Sequence, residues 1–139
     1  MKPFSITLPN DVEQVPLLAA FVDEVCEAAG FDMSLTMSMQ LAIEEAVVNV
    51  MNYAYPPGTQ GHVTIDATAG EGRLEVVITD SGVAFDPTLK ADADTPLSAE
   101  QRPIGGLGIH LVRHIMDEIA YERRDGKNIL TLRKHRAED

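Results

Sequence analysis

The sequence is poor in several features, and each shortage narrows the class of protein. It contains one cysteine, Cys26, so an internal disulfide is impossible. It has no run of about 18 apolar residues, which argues against a membrane-spanning helix. Residues 1–8 are too short and too polar a stretch for a secretory signal peptide. From these shortages we expect a soluble, cytoplasmic protein.

Basic residues are also scarce. The chain has 11 Lys and Arg against 22 Asp and Glu, giving a formal net charge of −11. This charge repels phosphate backbones, which argues against nucleic acid as a direct partner. It also repels ATP at long range, so a nucleotide site would need Mg²⁺ and local backbone donors. A basic protein partner is favoured electrostatically.

What the sequence does contain is sufficient for one folded domain. The apolar fraction is 45%, with only 10 glycines and 8 prolines in 139 residues, which indicates a globular chain. A chain of this length can bury roughly two-thirds of its unfolded surface. It has no internal repeat and no linker, so we predict a single domain over residues 1–139.

Hydrophobic periodicity predicts a mixture of strands and helices. Period-two alternation predicts strands at residues 4–8, 63–69, 74–80, 119–123 and 128–133. Helical spacing predicts helices over residues 11–30, 32–55 and 105–117. The segment between the third strand and the last helix has no convincing periodicity, and we interpret residues 83–104 as a lid.

Glu45 and Asn49 form the first chemically interesting pair. They are four residues apart on the long predicted helix and lie side by side at the edge of its core face, whereas Glu44 faces solvent. A carboxylate can act as a general base, and an amide oxygen can bind Mg²⁺ without adding charge. Considered alone, an ordinary polar pair at a helix edge is the simpler explanation.

Two glycine-containing segments follow later in the chain. Asp80-Ser-Gly82 ends a predicted strand, where a carboxylate could accept a hydrogen bond from an exocyclic amine such as that of adenine. Gly82 would permit a close backbone approach or a positive φ. Gly105-Gly-Leu-Gly108 opens the last predicted helix, whose free N–H groups favour an anion. Each segment alone is also compatible with an ordinary turn or hinge.

Taken together and in this order, the three motifs resemble the N, G1 and G2 boxes of the GHKL ATP-binding superfamily. Glu45–Asn49 with Ala54-Tyr55, then Asp80–Pro87, then Gly105–Ile109 look like the anti-sigma-factor serine/threonine kinases of bacterial partner-switching systems. The resemblance covers nearly the whole chain. It implies the GHKL (Bergerat) fold, an α/β two-layer sandwich (α+β) whose mixed, largely antiparallel sheet carries helices on one face.

The resemblance also implies roles for individual residues. Glu45 would take the proton from a serine hydroxyl, Asn49 would coordinate Mg²⁺ on the triphosphate, and Asp80 would hold the adenine amine. The other implied nucleotide contacts are Asn52, Gly82, Ala84, Phe85, Gly105, Gly106, Leu107, Gly108 and Ile109, with Gly106 and Gly108 bordering the phosphates.

By the same resemblance, the substrate would be a serine on a STAS-domain anti-anti-sigma protein, and a homodimer would sequester a sigma factor or similar regulator. Three positions depart from the family pattern: Tyr53, Ala84 and Ile104, the last of which replaces a basic residue. Arg102 is a candidate to replace that cation. Two alternatives stay open. One is a nucleotide-gated binding module without kinase activity, which rests on Ile104 and the acidic charge. The other is the catalytic piece of a histidine kinase.

Overall fold

Over residues 1–89 and 108–137, which the computed structural model describes, the chain forms a five-stranded sheet and three α-helices. The strands are β1 (Lys2–Pro9), β2 (His62–Gly70), β3 (Arg73–Asp80), β4 (Glu118–Arg124) and β5 (Lys127–His135). The helices are α1 (Leu18–Ala29), α2 (Met33–Tyr53) and α3 (Gly108–Ile115), and 3₁₀ helices lie at Val12–Leu17 and Pro87–Leu89. Within the described residues, no helix has the length and apolar character needed to cross a membrane.

The strand order is β1-β2-β3-β5-β4, and all four pairings are antiparallel. The predicted α/β two-layer fold is therefore confirmed, while the described strands contain no parallel pairing of the kind a mixed sheet would have. The β2–β3 and β4–β5 hairpins both turn through two residues with positive φ, Glu71-Gly72 and Asp125-Gly126. This left-handed pair is the turn that matches the right-handed twist of two neighbouring strands.

A capping side chain marks the start of α2, and a glycine marks the end of α1. The carboxylate of Asp32 accepts a hydrogen bond from the backbone N–H of Leu35 at 2.8 Å and starts α2. Gly30 ends α1 with a φ of 78°, as the sequence predicts. The predicted first helix is wrong in one respect, because residues 12–17 are 3₁₀. Pro16 has no N–H to donate, so a regular α-helix cannot run through this turn.

The core lies between the sheet and the helical layer. Inward-facing residues of the central strands and apolar residues of α1 and α2 are almost fully buried. Among them are Val22, Val25, Ile43, Val47, Ile65, Val76, Ile78 and Leu132. Antiparallel pairing places the end of β3 beside the start of β5, so Asp80 lies opposite Asn128 at one edge of the core.

Candidate active site

Asp80 lies at the end of β3 and is 3% exposed. Its Oδ1 accepts hydrogen bonds from the backbone N–H of Gly82 at 2.8 Å and from Nδ2 of Asn128 at 2.9 Å. Its Oδ2 is buried and has no hydrogen-bond partner among the described residues. Burial raises the pKa of this carboxyl, and the two hydrogen bonds and the nearby Arg123 charge oppose that rise. A ligand amine would satisfy the remaining acceptor, which is costly to leave without a partner.

Asn128, which the sequence reasoning missed, organises the surroundings of Asp80. Its Nδ2 also donates to the carbonyl of Val83 at 2.8 Å. Its Oδ1 accepts from the backbone N–H of Phe85 at 3.1 Å and from the Tyr121 hydroxyl at 2.5 Å. One side chain thus joins β3, β4 and the loop after β3. The available signal was an amide at an inward-facing position of a strand whose neighbouring inward positions are leucines.

The loop after β3 is attached to the end of α2. The backbone N–H of Val83 donates to the carbonyl of Ala54 at 2.7 Å, and the N–H of Ser81 donates to the Tyr55 hydroxyl at 3.0 Å. Between these bonds, a Cβ on Gly82 would lie 2.2 Å from the Ala54 carbonyl oxygen. The close approach of the Gly82 backbone to Ala54 therefore explains why residue 82 is a glycine. Its φ is not positive and does not require one.

The predicted pair on α2 lies as the helical phase requires. Asn49 is 1% exposed, and its Oδ1 is buried without a hydrogen-bond partner in the described part of the chain. Glu45, one turn earlier, is half-buried, whereas Glu44 is exposed. Burial, and secondly repulsion by Glu44, raise the pKa of the Glu45 carboxyl. A carboxylate with a raised pKa is a stronger proton acceptor, and an unpaired amide oxygen is a suitable Mg²⁺ ligand.

The remaining predicted site residues differ in their exposure and contacts, and several lie outside the described residues. Phe85 stacks on Tyr53, with ring centroids 5.5 Å apart, and so joins the loop after β3 to α2. Asn52 and Ala84 are exposed, whereas Ile109 is buried in the core. Gly108 begins α3. Gly105, Gly106, Leu107, the positions Arg102 and Ile104, and most of the predicted lid lie outside the described residues.

Comparison with known proteins identifies the family of this chain. The histidine kinase-like ATPase domain family matches residues 8–134. The serine/threonine-protein kinase BtrW of Bordetella bronchiseptica is 36% identical over 105 residues, which are 74% of this chain and 72% of BtrW. The serine-protein kinase RsbW of Bacillus mycoides is 32% identical and the match covers 88% of this chain and 79% of RsbW. RsbW of Listeria monocytogenes is 28% identical, with coverage of 91% and 83%.

A solved structure shares the fold. The RsbU and RsbW domains of a Mycobacterium tuberculosis protein superpose with a TM-score of 0.66 at 20% identity, over 97% of this chain and 32% of that one. The predicted resemblance to the GHKL kinases of partner-switching systems is confirmed by the family match and these relatives. The chain belongs to the histidine kinase-like ATPase domain family and, within it, to the serine/threonine-protein kinases related to BtrW and RsbW.

Proposed function

We propose that this protein uses Mg²⁺ and ATP to phosphorylate a serine on a STAS-domain anti-anti-sigma protein in the cytoplasm. As a homodimer, it would also sequester a sigma factor or a similar regulator. One observation carries the proposal. The two buried side-chain oxygens that lack partners among the described residues, Asn49 Oδ1 and Asp80 Oδ2, belong to the two motifs predicted to hold the nucleotide.

These two oxygens match different parts of a nucleotide. Asp80 Oδ2 can accept a hydrogen bond from an exocyclic amine, while Oδ1 is held by Gly82 and Asn128. Asn49 supplies a neutral carbonyl oxygen, which a hard divalent cation accepts as a ligand. Mg²⁺ bound there would neutralise part of the triphosphate charge, which this acidic chain otherwise repels.

Glu45 is the proposed general base. It lies one helical turn before Asn49, so the carboxylate and the Mg²⁺ ligand share one edge of α2. In the transfer, the serine oxygen forms a bond to the γ-phosphorus, its proton passes to Glu45, and the bond from that phosphorus to the ADP oxygen breaks. The raised pKa of Glu45 favours accepting the proton.

The test is phosphate transfer to the STAS-domain protein encoded nearest to this chain, read as intact mass at saturating partner concentration. A positioned base contributes about 10²–10⁴ in rate, so Glu45→Gln should reduce transfer at least tenfold and leave Mg·ATP binding unchanged. Glu44→Gln is the matched control, because the same change on the same helix alters an exposed carboxylate. Equal transfer by wild type and Glu45→Gln would exclude Glu45 as the base.

The alternative is a nucleotide-gated binding module, and it rests on the absence of a basic residue at position 104. A cation near the glycines could stabilise charge on the γ-phosphate during transfer. If wild type binds Mg·ATP and its partner but adds no phosphate, the module is the better description. Ile104→Arg would then be the substitution to test for gain of transfer.

A further inference from the structure

The solvent-facing side of α2 carries a row of apolar side chains. Met33 is 80% exposed, Met37 67% and Leu41 48%. Four-residue spacing places these three on one side of the helix, and the half-buried Val48 continues the row near its far end. We call these four residues the α2 stripe. Contiguous exposed apolar surface of this kind marks an interaction site, and methionine adapts well to a partner's shape.

The α2 stripe leads directly to the proposed general base. Leu41 precedes Glu45 by four residues and Val48 follows it by three, so both are its neighbours on the helix surface. A protein seated on the stripe would therefore bring its own surface to the Glu45 carboxylate. A nucleotide alone does not require apolar groups at Met37 and Met33, which lie about two and three turns before that carboxylate.

The charge of the chain segment that carries the α2 stripe favours one kind of partner. Residues 3–72, which include α1 and α2, contain no Lys or Arg and ten Asp and Glu. Glu44, between Leu41 and Val48 in sequence, is exposed, and so is Asp32 at the start of the helix. A partner that carries Lys or Arg around an apolar patch complements this surface, whereas an acidic partner is repelled.

We propose that the α2 stripe is the docking surface for the protein substrate of the kinase, and that this substrate presents apolar side chains flanked by basic residues beside its target serine. The inference rests on the proposed function. It assigns to Met33, Met37, Leu41 and Val48 the selection of the protein substrate, while the nucleotide is held by Asn49 and Asp80.

The test measures binding and transfer separately, with the nearest-encoded STAS-domain protein as the probe. Met37→Lys and Leu41→Lys should raise both its dissociation constant and its KM for phosphorylation at least about tenfold. The dissociation constant for Mg·ATP should stay within about twofold of wild type. Met37→Leu should behave as wild type, and added salt should weaken the wild-type complex because opposite charges attract across it.

Val12→Lys is the matched control, because Val12 is 45% exposed and lies on the 3₁₀ helix before α1. If wild type binds and phosphorylates the probe, and the two lysine variants bind it as tightly as Val12→Lys does, the docking proposal is overturned. It is also overturned if the variants change only self-association, measured by sedimentation.

Binding without transfer in wild type would end the kinase proposal, and the loss of binding in the lysine variants would still support docking. No binding by wild type would end both.

Discussion

The two ends of the candidate site are built in different ways. At the Asp80 end, four chain segments meet through the side chain of Asn128, and the loop after β3 is hydrogen-bonded to Ala54 and Tyr55 of the α2 end. At the other end, Glu45 and Asn49 project from a single helix. Each end keeps one buried oxygen without a partner in the described residues.

This difference in construction shows what determines the geometry of each end. A helix fixes the spacing of Glu45 and Asn49 by its own periodicity, so their placement needs only that α2 forms and packs. The carboxylate of Asp80 is held by residues up to 48 positions away in sequence. Substitutions should therefore disturb the two ends differently: the Asp80 end through the whole network, and the helix end through single side chains.

The largest effect is expected from Asp80→Ala. This variant removes the acceptor for the base of the nucleotide, and hydrogen bonds to charged groups contribute about 1.5–3 kcal/mol. We expect ADP and Mg·ATP to bind roughly 10–100-fold more weakly, by similar factors, in calorimetric titrations. A loss confined to Mg·ATP would place the phosphates, and not the base, at Asp80.

Asp80→Asn adds a test of the charge. Because burial raises the pKa of Asp80 in the folded state, ionisation of this carboxyl destabilises the fold, and wild type should lose stability as the pH rises through that pKa. The variant should therefore have the higher free energy of unfolding above that pKa. The advantage should vanish in acid, below the unfolded pKa of about 3.9, where wild type is protonated in both states. A constant difference at all pH values would contradict this cause.

Asn128→Ala should have the next largest effect, and on two quantities at once. It leaves Asp80 and the loop carbonyl and N–H groups without their partner, so the free energy of unfolding should fall by about 1–3 kcal/mol in urea titrations. Nucleotide affinity should fall with it. Asn10→Ala is the matched control, because Asn10 also bonds backbone groups, at Thr59 and Gly61, and has no hydrogen bond to Asp80 among the described residues. It should lower stability without lowering nucleotide affinity.

The smallest effect is expected from Asn49→Ala. It removes one ligand of the proposed cation, so Mg·ATP should bind about tenfold more weakly, while ADP without Mg²⁺ binds as before. Removing Oδ1 should not lower the free energy of unfolding by breaking a hydrogen bond, because Oδ1 has no partner among the described residues. Equal losses for Mg·ATP and metal-free ADP would show that Asn49 acts on the nucleotide and not on the metal, and would weaken the distinction between the two ends.

Much of the fold could be predicted because its signals are local. The cap at Asp32, the C-cap at Gly30 and the turn at Asp125-Gly126 each depend on residues within one turn of chain. The same holds for the separation of Glu44 from Glu45, which follows from the helical phase alone. The 3₁₀ start of the first helix was missed although Pro16 indicates it.

The sequence by itself determined the elements, the order of the motifs and the side of α2 on which Glu45 and Asn49 lie, because helix and strand periodicity are properties of neighbouring residues. Only the tertiary structure decided that Asn128 holds Asp80, that Gly82 must pass close to Ala54, and that Met33, Met37 and Leu41 stay exposed. These outcomes depend on which distant segments come into contact. The pairing of β3 with β5, and the hydrogen bonds between the loop after β3 and the end of α2, determine those contacts.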